Sequence, residues 1–156
     1  MSTRINSGVD TPELKLIITR TINAPCALVF RAWTEPEQMV QWWSPEEIEC
    51  RSVEADSKIG GTYRIHMVSK EGDHIVSGKY TQIIPEKLIQ FTWKWETDDM
   101  PGTTVTVQFK ALENKTQLTL IHEGFVVKED ADSHNGGWSS AIEKFTRLIE
   151  ANAIRF

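Results

Sequence analysis

His66, His74, His122 and His134 are the side chains of this 156-residue chain best suited to proton transfer or metal ligation, and their spacing argues against the second role. Recognised metal sites bring their ligands at short fixed separations, whereas these four fall on different predicted strands and on the last predicted helix. Cys26 and Cys50 have no metal-type neighbours and read as buried or half-buried free thiols of a reducing compartment. No glycine-rich phosphate loop, His-Glu-x-x-His or Gly-x-Ser-x-Gly pattern occurs. No metal and no cofactor is expected, and no residue is assigned as catalytic.

Of the four histidines, His122 is the one whose direction can be read. In the predicted strand Thr116 to Glu123, Leu118 and Leu120 face inward, and the two-residue period carries His122 to the same face. A polar ring on an apolar wall has two readings. It is a core histidine hydrogen-bonded to a neighbour such as a backbone carbonyl, or it contacts a ligand or moves a proton inside a pocket. Glu123 points the other way and is not its acid-base partner.

The aromatic residues carry the stronger signal. Trp42 and Trp43 are adjacent, and two adjacent indoles cannot share one helix face; one enters a core while the other sits at a rim, as in the wall of an apolar cavity. Phe91 and Trp93, with Ile89 and Trp95, share one strand face; Phe109 with Val105 and Val107, and Tyr63 with Ile65 and Met67, do the same on other strands. Trp138 and Phe145 belong to the apolar stripe of the last helix. Ordinary core packing explains each ring singly, but so many rigid rings aimed at one volume are hard to pack without gaps. The candidate ligand wall is therefore Trp42, Trp43, Tyr63, Phe91, Trp93 and Phe109, with His122, Trp138 and Phe145.

The elements that must position these residues follow from periodicity. Met1 to Thr11 is small and polar and reads as a disordered lead-in, leaving 12–156 as a single domain. Leu14 to Ile22 alternates as a first strand, and Asn23-Ala24-Pro25 opens a helix carrying Leu28, Val29, Phe30 and Trp33. Pro36 starts a second short helix reaching about Trp42, and Pro45 biases Ser44 toward an extended conformation. Six strands follow, Ile48 to Ala55, Thr62 to Ser69, His74 to Ile84, Leu88 to Glu96, Thr103 to Leu112 and Thr116 to Glu123, with short separators that make them an antiparallel meander. A last helix spans about Asp130 to Asn152. Its Gly136-Gly137 pair costs roughly 1 kcal/mol per glycine relative to alanine. Either the helix begins at Gly137, or it runs through both glycines and sets His134 and Trp138 one turn apart near a pocket mouth. This order predicts an α+β fold with helices on one face of one antiparallel sheet.

Composition narrows the partners. The net charge is -5 and the cations are scattered, so no basic stripe invites nucleic acid. No run approaches the roughly 20 apolar residues of a membrane span, and the start does not resemble a signal peptide, so a cytoplasmic location is expected. A monomer or homodimer is compatible with this composition.

Several short motifs together resemble a known family: Ile22-Asn23-Ala24-Pro25 with Val29-Phe30; Ala32-Trp33-Thr34-Glu35-Pro36-Glu37 and Trp42-Trp43; Gly60-Gly61-x-Tyr63-Arg64; Gly78-x-Tyr80; Ile84-Pro85 through Leu88-Ile89-x-Phe91-Thr92-Trp93; and His122-Glu123-Gly124-Phe125 with Gly137-Trp138. The chain resembles, over about residues 14 to 152, the activator of heat-shock-protein-90 ATPase homologue-like family of the START/Bet v 1-like (SRPBCC) superfamily. The resemblance implies a helix-grip fold, a curved antiparallel sheet around a long C-terminal helix with a deep cavity between them. It also implies a hydrophobic small molecule as default partner, a fold-level analogy. The chaperone-activating members carry a further N-terminal domain, so a chaperone partner is not the first expectation.

Three functions are compatible with these features. The first is a binding module holding a hydrophobic or aromatic small molecule, oriented by His122. The second is a small enzyme, a cyclase, dehydratase or hydrolase, using His122 as general base and a polar partner such as Tyr63. The third is an interaction module stimulating a chaperone ATPase through outer-face Arg64, His66, Lys79 and Lys94.

Overall fold

The alternating apolar pattern folds as its period requires. The computed structural model describes residues 14–156; the expected lead-in, 1–11, lies outside the described residues. In chain order the elements are β1 (Lys15–Ile22), α1 (Cys26–Thr34), α2 (Pro36–Met39), β2 (Glu49–Ala55), β3 (Thr62–Ser69), β4 (Gly72–Ile84), β5 (Leu88–Trp95), β6 (Thr103–Leu112), β7 (Lys115–Glu123) and α3 (Lys128–Glu150). The seven strands form one sheet in the order β1-β7-β6-β5-β4-β3-β2, with every neighbour antiparallel. β1 pairs with β7 in register from Lys15↔Glu123 to Ile22↔Thr116, so β1 and β2 are opposite edges. The α1–α2 segment must therefore carry the chain across the full width of the sheet. This is the helix-grip architecture that the motifs implied.

Sheet and helices meet through the residues whose alternation pointed inward. Tyr63, Ile65, Met67, Ile89, Phe91, Trp93, Val105, Val107, Phe109, Leu118, Leu120 and His122 are all buried on one face. From α3 come Trp138, Ala141, Ile142, Phe145 and Ile149. Trp33 of α1 is completely buried at the centre, its ring centroid 4.5 Å from Trp42, 5.7 Å from Trp43, 5.8 Å from Phe145, 6.2 Å from Trp138 and 6.4 Å from Phe109. Trp42 completes its own polar requirement by donating Nε1–H to the Ala32 carbonyl at 2.9 Å.

The local differences from the periodic reading have identifiable causes. α2 ends at Met39, yet the Trp42 and Trp43 amides both bond to the Met39 carbonyl, at 3.2 and 2.9 Å, so one further turn carries the chain to the two indoles. Ser44 is not extended but takes φ 144, a region serine rarely adopts. Its hydroxyl donates to the Ile48 carbonyl at 2.6 Å and accepts from Lys144 Nζ at 3.2 Å, two bonds that hold the residue there. α3 starts two residues before the expected Asp130 and runs through Gly136 and Gly137. Of the two helix readings, the one that sets His134 and Trp138 a turn apart is realised.

Two glycines illustrate opposite constraints. Gly78 on β4 faces Tyr63 on β3, and a Cβ there would sit 2.1 Å from the Thr92 carbonyl oxygen on β5. The missing side chain leaves a path for the Tyr63 hydroxyl to donate to that same oxygen at 2.5 Å. At Gly136 a Cβ would meet nothing within 4 Å. Gly78→Ala should therefore lose at least about 2 kcal/mol through overpacking, whereas Gly136→Ala should gain about 0.5–1 kcal/mol from helix propensity. Urea unfolding of the two variants, compared with the parent, checks both signs.

Candidate functional site

His122 sits at the end of β7's inner face with no exposure, and both its ring nitrogens are engaged. Trp138 Nε1 lies 3.1 Å from Nδ1, and an indole nitrogen only donates, so Nδ1 must be the unprotonated acceptor. The ring proton is then on Nε2 and is donated to Thr103 Oγ1 at 2.7 Å, which in turn points toward the Trp93 carbonyl at 3.4 Å. Burial, with His134 nearby, pushes the His122 pKa down to about 3. The imidazole is neutral, fixed in one tautomer, and has no free lone pair for a substrate proton.

A second indole–imidazole pair lies beside the first. Trp95 Nε1 donates to His134 Nε2 at 2.9 Å, so His134 carries its proton on Nδ1 and donates it to the Asp130 carbonyl one turn back in α3, at 2.7 Å. Burial lowers this pKa too, partly opposed by the bond to Asp130 and by the Asp130 and Asp98 charges. The two imidazoles are edge to face, 5.2 Å between centroids, with Phe125 packed against both.

These pairs bound a cleft of about 560 Å³ between the β3–β5 end of the sheet and the N-terminal half of α3. Its apolar wall is Trp43, Trp93, Trp95 and Trp138, with Ile48, Met67, Met100 and Ala141. Its rim carries Glu71, Asp73, His74, Asp98, Asp130 and His134. Gly137 opens onto it, where a Cβ would meet only Pro45 Cγ, at 3.7 Å. Trp93 Nε1 is buried without an acceptor, as is Trp33 Nε1.

Of the nine side chains expected on a ligand wall, the structure brings Trp43, Trp93 and Trp138 to the cleft. The other six stand behind it. Trp42 and Phe145 are fully buried against Trp33, and Phe109 packs on Phe30 and Trp33. Tyr63 and Phe91 pack with Tyr80, and the Tyr63 hydroxyl is committed to the Thr92 carbonyl with burial raising its pKa well above the ordinary value. His122 is screened by the groups it bonds. Their common inward direction was readable, but the thickness of the aromatic layer was not. The cleft residues outside the expected set include Trp95, legible as the continuation of Trp93's face, and Asp98 and Met100, in a loop whose sequence signalled only a turn.

On the outer face, Arg64 is paired with Glu96 at 3.1 Å, His66 with Asp73 at 2.7 Å, and Lys94 with the Trp95 and Asp98 carbonyls. Three of the four residues considered for a chaperone contact are thus internally engaged. Among the described residues no group of three or more His, Cys, Asp or Glu is placed to hold a metal ion, and no helix is long and apolar enough to cross a membrane.

The profile of the family described as Activator of Hsp90 ATPase homolog 1-like protein matches residues 23–150. The chain belongs to this family. No curated protein matches it. Among solved structures, a Nitrosomonas europaea protein is similar at 24% identity and TM-score 0.77, covering 92% of this chain and 98% of its own. The AHSA1 protein of Silicibacter pomeroyi is similar at 24% identity and TM-score 0.76, covering 88% and 99%. A Chromobacterium violaceum protein is similar at 21% identity and TM-score 0.75, covering 88% and 97%. At these identities the likeness is one of fold, and the chemistry of the cleft has to be read from this chain's own residues.

The neutral imidazoles have a consequence for stability. An unfolded His122 titrates near its ordinary value of 6.5 and the folded one near 3, so between those values the unfolded chain binds a proton that the folded one does not. Stability is therefore complete above about pH 6.5 and falls as pH drops toward 3, with His134 acting in the same direction. Each such proton contributes a slope of up to about 1.4 kcal/mol per pH unit. Urea unfolding between pH 7.5 and pH 4.5 should show this decline, and His122→Gln should make it shallower. An unchanged slope in the variant would mean that His122 is not the titrating group.

Proposed function

We propose that the protein binds an aromatic or apolar small molecule in the cleft between the sheet and α3, with the ligand lying against Trp43, Trp93, Trp95 and Trp138. The observation that carries this reading is the cleft itself: a volume of about 560 Å³ walled by four indoles at the edge of the buried core. Small-molecule sites span about 300–1,000 Å³ and are lined mainly by apolar and aromatic groups with few polar ones. Gly137 supports the reading, because the helix forgoes a favourable residue at the point where a methyl would enter the cleft. So does the Trp93 indole, whose buried N–H lacks the acceptor that buried donors normally have.

In this proposal His122 positions the wall rather than touching the ligand, locking Trp138 through Nδ1 and Trp93's strand through Thr103. The enzyme alternative built on His122 and Tyr63 has no observation in its favour, because the imidazole nitrogens and the phenol are all committed to protein partners. A titration of the six tryptophans' fluorescence with lipids, neutral polycyclic aromatics and flavonoids tests the proposal. At least one class should give a saturable response, and Gly137→Ala should weaken it by about tenfold, as expected for filling one methyl of a snug pocket, while unfolding shows the variant no less stable than the parent. No saturable response from any class, nor from an aromatic amine of similar size, sinks the reading.

A further inference from the structure

The Asp, Glu, Lys and Arg side chains that line the cleft, among the described residues, are all of one sign. Four carboxylates stand on its rim, and no lysine or arginine lines it. Neither bordering imidazole that is bonded to an indole supplies a positive charge near neutral pH, because both pKa values are lowered by burial. The nearest cations lie outside the lining and have partners of their own. Lys94, on the outer face, donates to the Trp95 and Asp98 carbonyls at 3.2 Å, and Lys128 is paired with Asp132 at 2.9 Å. Lys144, behind Ser44, lies fourteen residues along α3 from Asp130, about 20 Å at 1.5 Å per residue.

The carboxylates are not equivalent. Asp73 is bonded to His66 at 2.7 Å, and Glu71 to the Ser69 hydroxyl at 3.1 Å. The Asp130 carboxylate, half-buried on the first turn of α3, has no hydrogen bond or ion pair among the described residues. The Asp98 carboxylate, on the loop after β5, accepts from the Met100 amide at 2.7 Å and has no ion pair among the described residues. Both line the cleft together with His134, the ring that Trp95 holds, and both charges act on that ring. Indole faces and uncompensated carboxylates thus converge at one end of the cleft. Each attracts a cation, the faces through the ring quadrupole and the carboxylates through charge.

We propose that the occupant is a cationic amphiphile, a protonated or quaternary amine on an aromatic or apolar body, its charge held between Asp98 and Asp130 and its body on the cleft tryptophans. The inference rests on the binding reading above and adds the sign of the ligand's charge. It excludes fatty acids and other apolar anions of the same size, which would meet four carboxylates with no lysine or arginine among the described lining residues to answer them; specificity here comes as much from this repulsion as from the attraction.

Three probes of one scaffold separate the possibilities: 2-naphthylmethylamine, 2-naphthylmethanol and 2-naphthoate, titrated calorimetrically into the full chain at pH 7.5. The ammonium should bind at least about tenfold more tightly than the alcohol, with the carboxylate weakest, and the advantage should shrink at high salt. Asp98→Asn and Asp130→Asn should each reduce that advantage several-fold while leaving affinity for the alcohol unchanged. Equal binding of alcohol and ammonium overturns the charge inference and leaves the pocket intact. An ammonium preference untouched by both substitutions overturns the assigned seat. Binding of none of the three, together with silence in the fluorescence titration, removes the pocket reading as well.

Discussion

The packing of Trp33 is the constraint on which the other features depend. A sheet curled around a helix leaves a volume that side chains must fill, because a void forfeits dispersion contacts on every atom of its lining. Trp33 enters that volume from α1 and touches rings from the segment after α2, from β6 and from α3. Such a site resembles those where truncating a large aromatic costs about 3–5 kcal/mol. The plug closes one end of the grip. What stays open is the end beyond Trp138 and Trp43, whose outer faces border the cleft while their inner faces rest on Trp33.

Polar satisfaction at that boundary is handled without buried charge. An indole N–H cannot accept, so each tryptophan that bonds an imidazole fixes which nitrogen is bare and leaves the other to donate. His122 thus passes a hydrogen bond from α3 through β7 to β6, and His134 returns one within α3. A neutral imidazole avoids the several kcal/mol that an unpaired buried charge would cost. It also keeps the potential in the cleft governed by the carboxylates of its rim over the range in which these histidines stay neutral.

How much of this was legible in the sequence varies with the kind of information involved. Period-two alternation located all seven strands and the inner face of β3, β5, β6 and β7, since burial on one side forces that pattern; His122 was placed inward by parity alone. The boundaries of α2 and α3 moved by two or three residues, because helix ends are decided by the next contact rather than by propensity. The wall of the cleft was legible only in part. Parity says that Phe91, Trp93 and Trp95 face the same way, but not that Phe91 lies under Tyr63 and Tyr80 while Trp95 reaches the opening. Depth within a layer depends on how far α3 stands from each strand, a tertiary quantity with no local signature. Asp98 and Asp130 face one ring from segments 32 residues apart in a turn and a helix start, so neither spacing nor composition marked them as a pair.

The glycines of α3 show why stability and an open cleft pull against each other here. A 23-residue helix needs no glycine for its geometry, and each one costs roughly 1 kcal/mol relative to alanine. Gly136 faces open space, so its cost has no packing counterpart in this chain. Gly137 differs, because it lines the cleft one residue before Trp138 and across from Pro45. A side chain there would take up volume that the indoles leave free, and the strained Ser44 that precedes Pro45 holds the facing wall in place. A core selected only for stability would close such a gap. That it is kept, between a helix weakened by glycine and a loop held at an unfavourable φ, fits a volume maintained for an occupant better than a defect of packing.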